Sequence, residues 1–497
     1  MHVIFRQFEE QNIPYIHFKS NTNLGDSFSG KGDFDVLTDP ERIGDAEHII
    51  AQNGGKRFNP PRLGRYPGVD NWMILDESSG ILYHLHLHYQ LATGKTLVKD
   101  YIIPWSHILF DTRIKDKDYG IYISDPDLEL LLLLTRTVLK STLKQQIRAL
   151  MGTYEMPSSM KKEFLDLRQK MDEGCFCELA RKCGFNDDDT NILLQMVRRG
   201  QTDAKAFRSI SGTVRKNMKL QRRVSGSSAF ILSEYYSLRR RLSSALKKRT
   251  GYCPVMKKVH DTKGLIVAFV GVDGAGKSTV TKEIYGWLDK KIECKRFYMG
   301  SGDGRVPLSM RVFKGLKKTG GNRSETGSRQ DGIRTVSFYK NPVKYFRRMF
   351  RLKAILDVEK NNRKKIEKMQ RYRLNGGICL LDRYPQTQMA GMNDGPKIVG
   401  FRDHTEPKSA IDRMIRKENE ALDIVNRIKP DVVFRLKISA ETSMARKPEQ
   451  HNIEAFRKKI ENLDRITFGG ARIIDIDAEQ PYEQELTEIK RILWSLM

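Results

Sequence analysis

The chain of 497 residues has little cysteine and no long apolar run. Six cysteines are too sparse to staple a fold of this length, so free thiols in a reducing compartment are expected. Cys175, Cys177 and Cys183 cluster as C-x-C-x5-C, without a CxxC pair or a nearby histidine, which speaks against a zinc site. The run Leu130–Leu134 is dense but far short of the roughly 20 apolar residues that a spanning helix needs. The amino terminus, MHVIFRQFEEQN, turns polar before an apolar signal core can form, so no secretion signal is expected. A cytoplasmic protein is the expectation.

Charge, by contrast, is plentiful and uneven. The net charge is +27, and two zones account for it. Residues 205–258 hold 15 Lys/Arg against the single acid Glu234, and residues 305–373 hold 21 against 5. The rest of the chain is close to neutral. Such zones admit three readings: a solvated helical face that needs no partner, attraction to anionic lipid, and nucleic-acid binding. Arg311, Lys314, Lys317, Lys318 and then Tyr345, Phe346, Arg347, Arg348 and Phe350 mix basic with apolar residues as an interfacial helix does. Attachment to the inner face of a membrane is the corresponding expectation.

Three regions separate on pattern. Residues 1–123 carry short strand-like runs (PYIHFKS, DFDVLT, NWMILDE, ILYHLHLHYQL) between turns. Ser124-Asp125-Pro126 reads as a helix start. From there to 260 the pattern is helical, a basic connector broken near Gly152, Gly184 and Gly200. From 261 to 497 five apolar runs (LIVAFVGV, ECKRFYM, GICLLD, DVVFRLK, ARIIDID) alternate with helical segments, which predicts a doubly wound α/β domain with a five-stranded parallel sheet. Residues 301–335, rich in Gly, Ser and Lys, read as an insertion.

Residues 271–278 read Gly-Val-Asp-Gly-Ala-Gly-Lys-Ser, the G-x4-G-K-S pattern of a phosphate-binding loop, between a predicted strand and a predicted helix. The glycines let backbone N–H groups converge on phosphate oxygens, and the helix that follows adds its positive end. Gly271, Val272, Asp273, Gly274, Ala275, Gly276, Lys277, Ser278 and Thr279 are therefore the candidate nucleotide-binding residues. Lys277 is placed to reach the β- and γ-phosphates of ATP, and the Ser278 hydroxyl to ligate Mg²⁺.

GVDGAGKST resembles the loop of the thymidylate kinase branch of the nucleoside monophosphate kinases. Three further segments extend the likeness over residues 264–497: Asp382-Arg383-Tyr384 at a strand end, Pro430-Asp431 leading to a helix with Arg446, and RIIDID before Ala478-Glu479-Gln480-Pro481. The resemblance implies that Asp382 orients Mg²⁺ or its water and that Arg383 holds acceptor and donor in line. It also implies that Arg446 closes over the transferring phosphate and that Asp273 contacts an acceptor hydroxyl. That family's Arg-Glu-Pro-Gly-Gly segment is absent, and FYMGSGDGRVP stands in its place. The acceptor is accordingly expected to be a nucleoside monophosphate or a related phosphorylated molecule. Asn393-Asp394-Gly395-Pro396 reads as an ordinary turn, with a substrate contact as the alternative.

In the first region Asp33 and Asp35 lie two apart on a strand and resemble the Asp-x-Asp strand of the nucleotidyltransferases, which holds Mg²⁺. Phe18–Ser20 stands where that fold has Gly-Ser, and a third carboxylate is missing. His84, His86 and His88 share one face of a later strand; they either join Asp33 and Asp35 around a metal or belong to a half-exposed strand. Two-part chains of this kind resemble bacterial proteins associated with surface polysaccharide synthesis. Two alternatives remain open: nucleotidyl transfer at Asp33 and Asp35 with the P-loop as ATP sensor, and ATP-gated binding of membrane or nucleic acid.

Overall fold

The computed structural model describes residues 1–61, 65–250, 256–260, 263–299, 342–390, 394–401, 409–446 and 453–497. The expected insertion at 301–335, with Arg311, Lys314, Lys317 and Lys318, lies outside them, as do Asn393 and the side chains of Tyr345, Arg347, Lys247, Lys248 and Arg249. The chain divides into two compact units, Met1–Asp261 and Thr262–Met497. Among the described residues no helix is long and apolar enough to cross a membrane.

Among the described residues the first unit contains ten strands: β1 (Tyr15–His17), β2 (Phe34–Thr38), β3 (Lys56–Asn59), β4 (Val69–Leu75), β5 (Leu82–His88), β6 (Leu91–Thr93), β7 (Tyr101–Ile103), β8 (Ile114–Lys115), β9 (Tyr122–Ile123) and β10 (Val259–His260). Eight of them form one mixed sheet in the order β10-β3-β4-β5-β2-β1-β9-β8, and β6 pairs with β7. Strand alternation gives this sheet two faces. Phe34, Val36, Leu85 and Leu87 face a core shared with the helix His2–Glu10. Ile16, Phe18 and Leu37 face a second core built with the helices from Pro126 onward.

The helix Pro126–Leu139 is central to that second core. Asp125 caps it by accepting from the Asp127 amide, and Pro126 sits in its first turn, where no N–H is needed. All but two of its residues are buried, against the helices Ser158–Lys170, Glu173–Lys182 and Ala204–Asn217. The breaks expected from glycine are present: Gly200 ends the helix Asp187–Arg199 at φ 62°. Residues 124–217, expected as part of a connector, thus share a core with the strands of 1–123. The five free cysteines that are described make no disulfide.

The second unit contains β11 (Ile266–Gly271), β12 (Cys294–Tyr298), β13 (Ile378–Asp382), β14 (Val432–Lys437) and β15 (Arg472–Asp477). All neighbours are parallel, in the order β12-β13-β11-β14-β15. The five strands coincide with the five predicted runs. The inner strands β11, β13 and β14, largely buried, read as near-continuous hydrophobic stretches, while the edge strands β12 and β15 keep charged, exposed positions. The Phe269 and Phe434 rings stack at 5.3 Å across β11 and β14. The chain leaves β11 to one side for β12 and β13, then crosses to the other side for β14 and β15. Ligands bind at the carboxyl ends of strands where the order reverses in this way.

Truncating Leu131, fully buried in the helix Pro126–Leu139, is expected to cost about 2–5 kcal/mol. Urea unfolding followed by a probe in each unit checks this: Leu131→Ala should move the transition of Met1–Asp261 and leave that of Thr262–Met497 in place.

Candidate functional site

At the carboxyl edge of the parallel sheet, β11 ends at Gly271, and the chain turns through residues 272–276 into the helix Lys277–Asp289. Gly274 and Gly276 adopt φ of +91° and +81°, conformations that disfavour any side chain. A Cβ on Gly274 would also lie 3.2 Å from the Ser443 carbonyl. The helix opens on Lys277 and Ser278, whose amides have no carbonyl partner within the helix.

The sequence-predicted residues converge on this loop. The Ser278 hydroxyl donates to Asp382 Oδ2. Among the described residues Asp382 Oδ1 is buried without a hydrogen-bond partner. A buried carboxylate oxygen left open beside a hydroxyl is the donor set that Mg²⁺ selects, so Ser278 and Asp382 fit that ion. Lys277 Nζ donates to the Val272 carbonyl at 2.7 Å. Burial, and then the Arg383 charge, push its ammonium down to about 8.

Arg383 follows β13 with φ 74°, a left-handed conformation held by its own N–H donating to Phe269 O at 3.0 Å. Its guanidinium lies 3.2 Å from Asp273 Oδ1 and 3.7 Å from Asp394 Oδ2. Asp273 Oδ2 also lies 3.7 Å from Lys459 Nζ. Arg446 ends the helix Ala440–Arg446 and donates to the Gly274 carbonyl at 3.4 Å and to the Ala478 carbonyl at 3.1 Å. The loops after β11, β13, β14 and β15 therefore meet at one place.

Ser443 and Lys459 went unnoticed in the sequence, where Asp394 reads only as part of a turn or as a substrate contact. Ser443 is buried, and its hydroxyl donates to the Asp273 carbonyl at 2.6 Å, fixing the loop from behind. Lys459 arrives from the helix Ile453–Arg465. Asp394, read as part of a turn, does adopt a turn-like φ of 61° but also faces Arg383. No period along the chain marks these residues, since the β13–β14 crossover brings in Asp394 and the β14–β15 crossover brings in Ser443 and Lys459.

A second cluster occupies the first unit. His84 Nδ1 lies 2.8 Å from Asp33 Oδ1, His86 Nδ1 3.0 Å from Asp35 Oδ1, and His88 Nε2 3.4 Å from the same oxygen. Two groups, Asp33-His84-His86 and Asp35-His86-His88, bring their ligand atoms within 4.8 Å of one another, close enough for a metal ion. Each holds one carboxylate, and Asp35 Oδ1 already receives the Lys19 ammonium at 2.8 Å. The expected half-exposed strand is not found. His84 and His88 are buried at 1% and 8% exposure, because β5 lies inside the sheet between β4 and β2 and helices cover its histidine face.

No protein-family model matches the chain. An uncharacterized ATP-binding protein of Escherichia coli K12, YghR, is 26% identical over 232 residues, 46% of this chain and 85% of that protein. A second from the same strain, YghS, is 27% identical over 240 residues, covering 46% of this chain and 93% of its own length. A deoxyadenosine kinase structure from M. mycoides with bound dATP aligns with 46% of this chain and 98% of its own, at 17% identity and a TM-score of 0.27, too slight a likeness to carry an argument. The loop, its flanking strand and helix, and the parallel order of the sheet give the second unit a P-loop NTPase-like fold.

The histidines set an acid limit on the first unit. Burial pushes His84 and His88 down to about 3, so below pH 6.5 the unfolded chain takes up protons that the folded chain refuses. Stability is expected to fall with acidification from about pH 6.5 towards 3, by roughly 1.4 kcal/mol per pH unit for each histidine. Urea unfolding at a series of pH values checks the slope, which His84→Asn and His88→Asn should each reduce.

Proposed function

We propose that the second unit is an ATP- and Mg²⁺-dependent phosphotransferase of the nucleoside monophosphate kinase type, similar to thymidylate kinase. It passes the γ-phosphate to a nucleoside monophosphate or a related phosphorylated acceptor. The observation that carries this reading is the convergence of Lys277, Ser278, Asp382, Arg383 and Arg446 on one glycine loop at the carboxyl edge of a parallel sheet. The ATP-binding relatives support the donor.

Phosphoryl transfer is mainly positioning and neutralisation of oxygen charge, and this site is equipped for both. Backbone N–H groups of Gly274–Thr279 cradle the donor phosphates, and Lys277 leaves the Val272 carbonyl to meet them. Its depressed pKa costs nothing once a polyanion is beside it. Ser278 and Asp382 would hold Mg²⁺, which supplies positive charge to the phosphate oxygens when bound. Arg383, poised between Asp273 and Asp394, orients the acceptor, whose hydroxyl Asp273 is placed to contact. Arg446, tethered to the loop through Gly274, brings a further charge to the transferring group. Nucleotidyl transfer at Asp33 and Asp35 is disfavoured by the Lys19 ammonium already seated on Asp35.

ADP release from ATP and Mg²⁺ is expected to rise with one member of a panel of nucleoside monophosphates that includes thymidylate. Lys277→Ala and Asp382→Asn should each lower the stimulated rate by about 10²–10³-fold, the usual effect of losing one group that stabilises transition-state charge. ATP binding with no stimulation by any acceptor, or full turnover in Lys277→Ala, would overturn the reading.

The helix Gly226–Thr250 carries the proposed contact with anionic lipid. Ile231, Tyr235, Leu238 and Leu242 repeat at helical spacing and are 65%, 54%, 56% and 55% exposed. Arg239, Arg240 and Arg241 stand among them, with Glu234 as the helix's one acid. An apolar stripe beside several positive charges suits an anionic bilayer surface, each charge contributing roughly 1 kcal/mol there. Co-sedimentation with phosphatidylglycerol vesicles is expected, with loss in high salt and weakening in Ile231→Asp and Leu238→Asp. Equal retention on neutral vesicles, or none on either, would refute the contact.

A further inference from the structure

The first unit holds a small pocket of about 80 Å³ that the phosphotransfer reading does not use. Four basic side chains reach it from three parts of the chain: Lys19 after β1, Lys99 between β6 and β7, and Arg136 with Lys140 at the end of the helix Pro126–Leu139. The last two are four residues apart and so share one helix face. A single carboxylate, Asp35, lines the same space, and Lys19 and His86 already occupy its Oδ1 at 2.8 and 3.0 Å. Glu129 and Glu163 are nearby in the fold, but they are engaged by Asn21 and Ser20 and do not line the pocket.

The positive charge is therefore largely uncompensated. Among the described residues the side chains of Arg136 and Lys140 have no ion-pair or hydrogen-bond partner, and Lys99 lies over the Tyr66 ring at 4.9 Å from its centroid. Cations gathered in a partly buried space without counter-charge repel one another and lose hydration. Lys140 shows this most: burial, and then Arg136 and Lys19, push its ammonium down to about 6. Lys99 is pushed down to about 8 for the same reasons. A multiply charged anion relieves both costs at once, and Arg with Lys is the pairing that phosphate oxygens take. The remaining wall is mixed: Phe18, Leu91 and Leu132 offer apolar surface to an organic body, and Asn71, His86 and Thr93 add polar groups.

We propose that this pocket binds the phosphoryl group of pyrophosphate or of a small phosphate ester, without a metal ion, through Lys19, Lys99, Arg136 and Lys140. The site is separate from the P-loop, and the inference is independent of the phosphotransfer reading.

Calorimetric titration of full-length Lys277→Ala in EDTA tests it, with inorganic pyrophosphate and phenyl phosphate as separate probes. One site is expected, with affinity at least about 10-fold lower after Lys140→Met or Lys99→Met, each removed cationic contact being a charge-assisted one. Lys140→Arg should retain most of it. Tighter binding of phenyl phosphate would point to an ester, and tighter binding of pyrophosphate to the inorganic anion. The proposal is overturned if neither methionine variant changes the affinity. It is equally overturned if binding appears only when Mn²⁺ replaces EDTA and disappears in His86→Ala, which would make the cluster a metal site. Should a methionine variant lose its fold, lysine modification in Lys277→Ala decides the matter: pyrophosphate should protect Lys99 and Lys140 from reductive methylation, and equal labelling with and without it refutes the site.

Discussion

The hydrogen bond from the Ser278 hydroxyl to the Asp382 carboxylate joins the start of the helix Lys277–Asp289 to the end of β13. The two residues lie more than one hundred positions apart, and β11 and β13 run side by side with Phe269 opposite Asp382. Everything else at the site is built out from this junction. Arg383, the next residue, is held in its left-handed conformation by the β11 backbone, which aims its guanidinium back over the loop at Asp273. Ser443 and Arg446 then brace the loop from the far side of β11, through the crossover after β14. A parallel sheet sends all its strands out at one edge, so the loops that carry charge have to meet there.

Both units keep basic groups in partly desolvated places, and they do so differently. In the second unit Lys277 is folded down onto a backbone carbonyl, with Asp273, Asp382 and Asp394 close by to moderate its charge. A ligand entering that site meets a balanced set of charges of both signs, suited to positioning a reacting polyphosphate. In the first unit Arg136, Lys140 and Lys99 face one neutralised carboxylate. That imbalance favours retention of an anion over chemistry upon it. The buried histidines next to it are kept neutral by desolvation, so they add polar surface without further positive charge at His84 and His88.

Much of the second unit was legible because its signals are local. The loop residues Gly271–Ser278 are consecutive, and the three inner strands β11, β13 and β14 are short, mostly apolar and largely buried runs. Asp382 and Arg383 were legible in part, since the strand that precedes them is so apolar that its polar terminus stands out. Ser443 and Lys459 were not, because their spacing along the chain carries no period and only the crossover brings them in; Asp394 was legible as a turn residue but not as a partner of Arg383. In the first unit the alternation of His84, His86 and His88 revealed their shared face. It did not reveal that the face is buried, because burial depends on the helix Pro126–Leu139 docking over the sheet.

The sequence by itself determined the local conformations: where β11 stops, that the loop must turn on glycine, that a helix begins at Pro126, and which side of β5 carries histidine. These follow from steric limits on a few neighbouring residues and from the two periodicities of the backbone. Only the tertiary structure decided which charges share a space. Lys19, Lys99 and Lys140 are ordinary lysines along the chain, and they become a cationic pocket because the sheet and the helices close around one another. Electrostatic energy depends on distance and burial, and neither is a property of sequence neighbours.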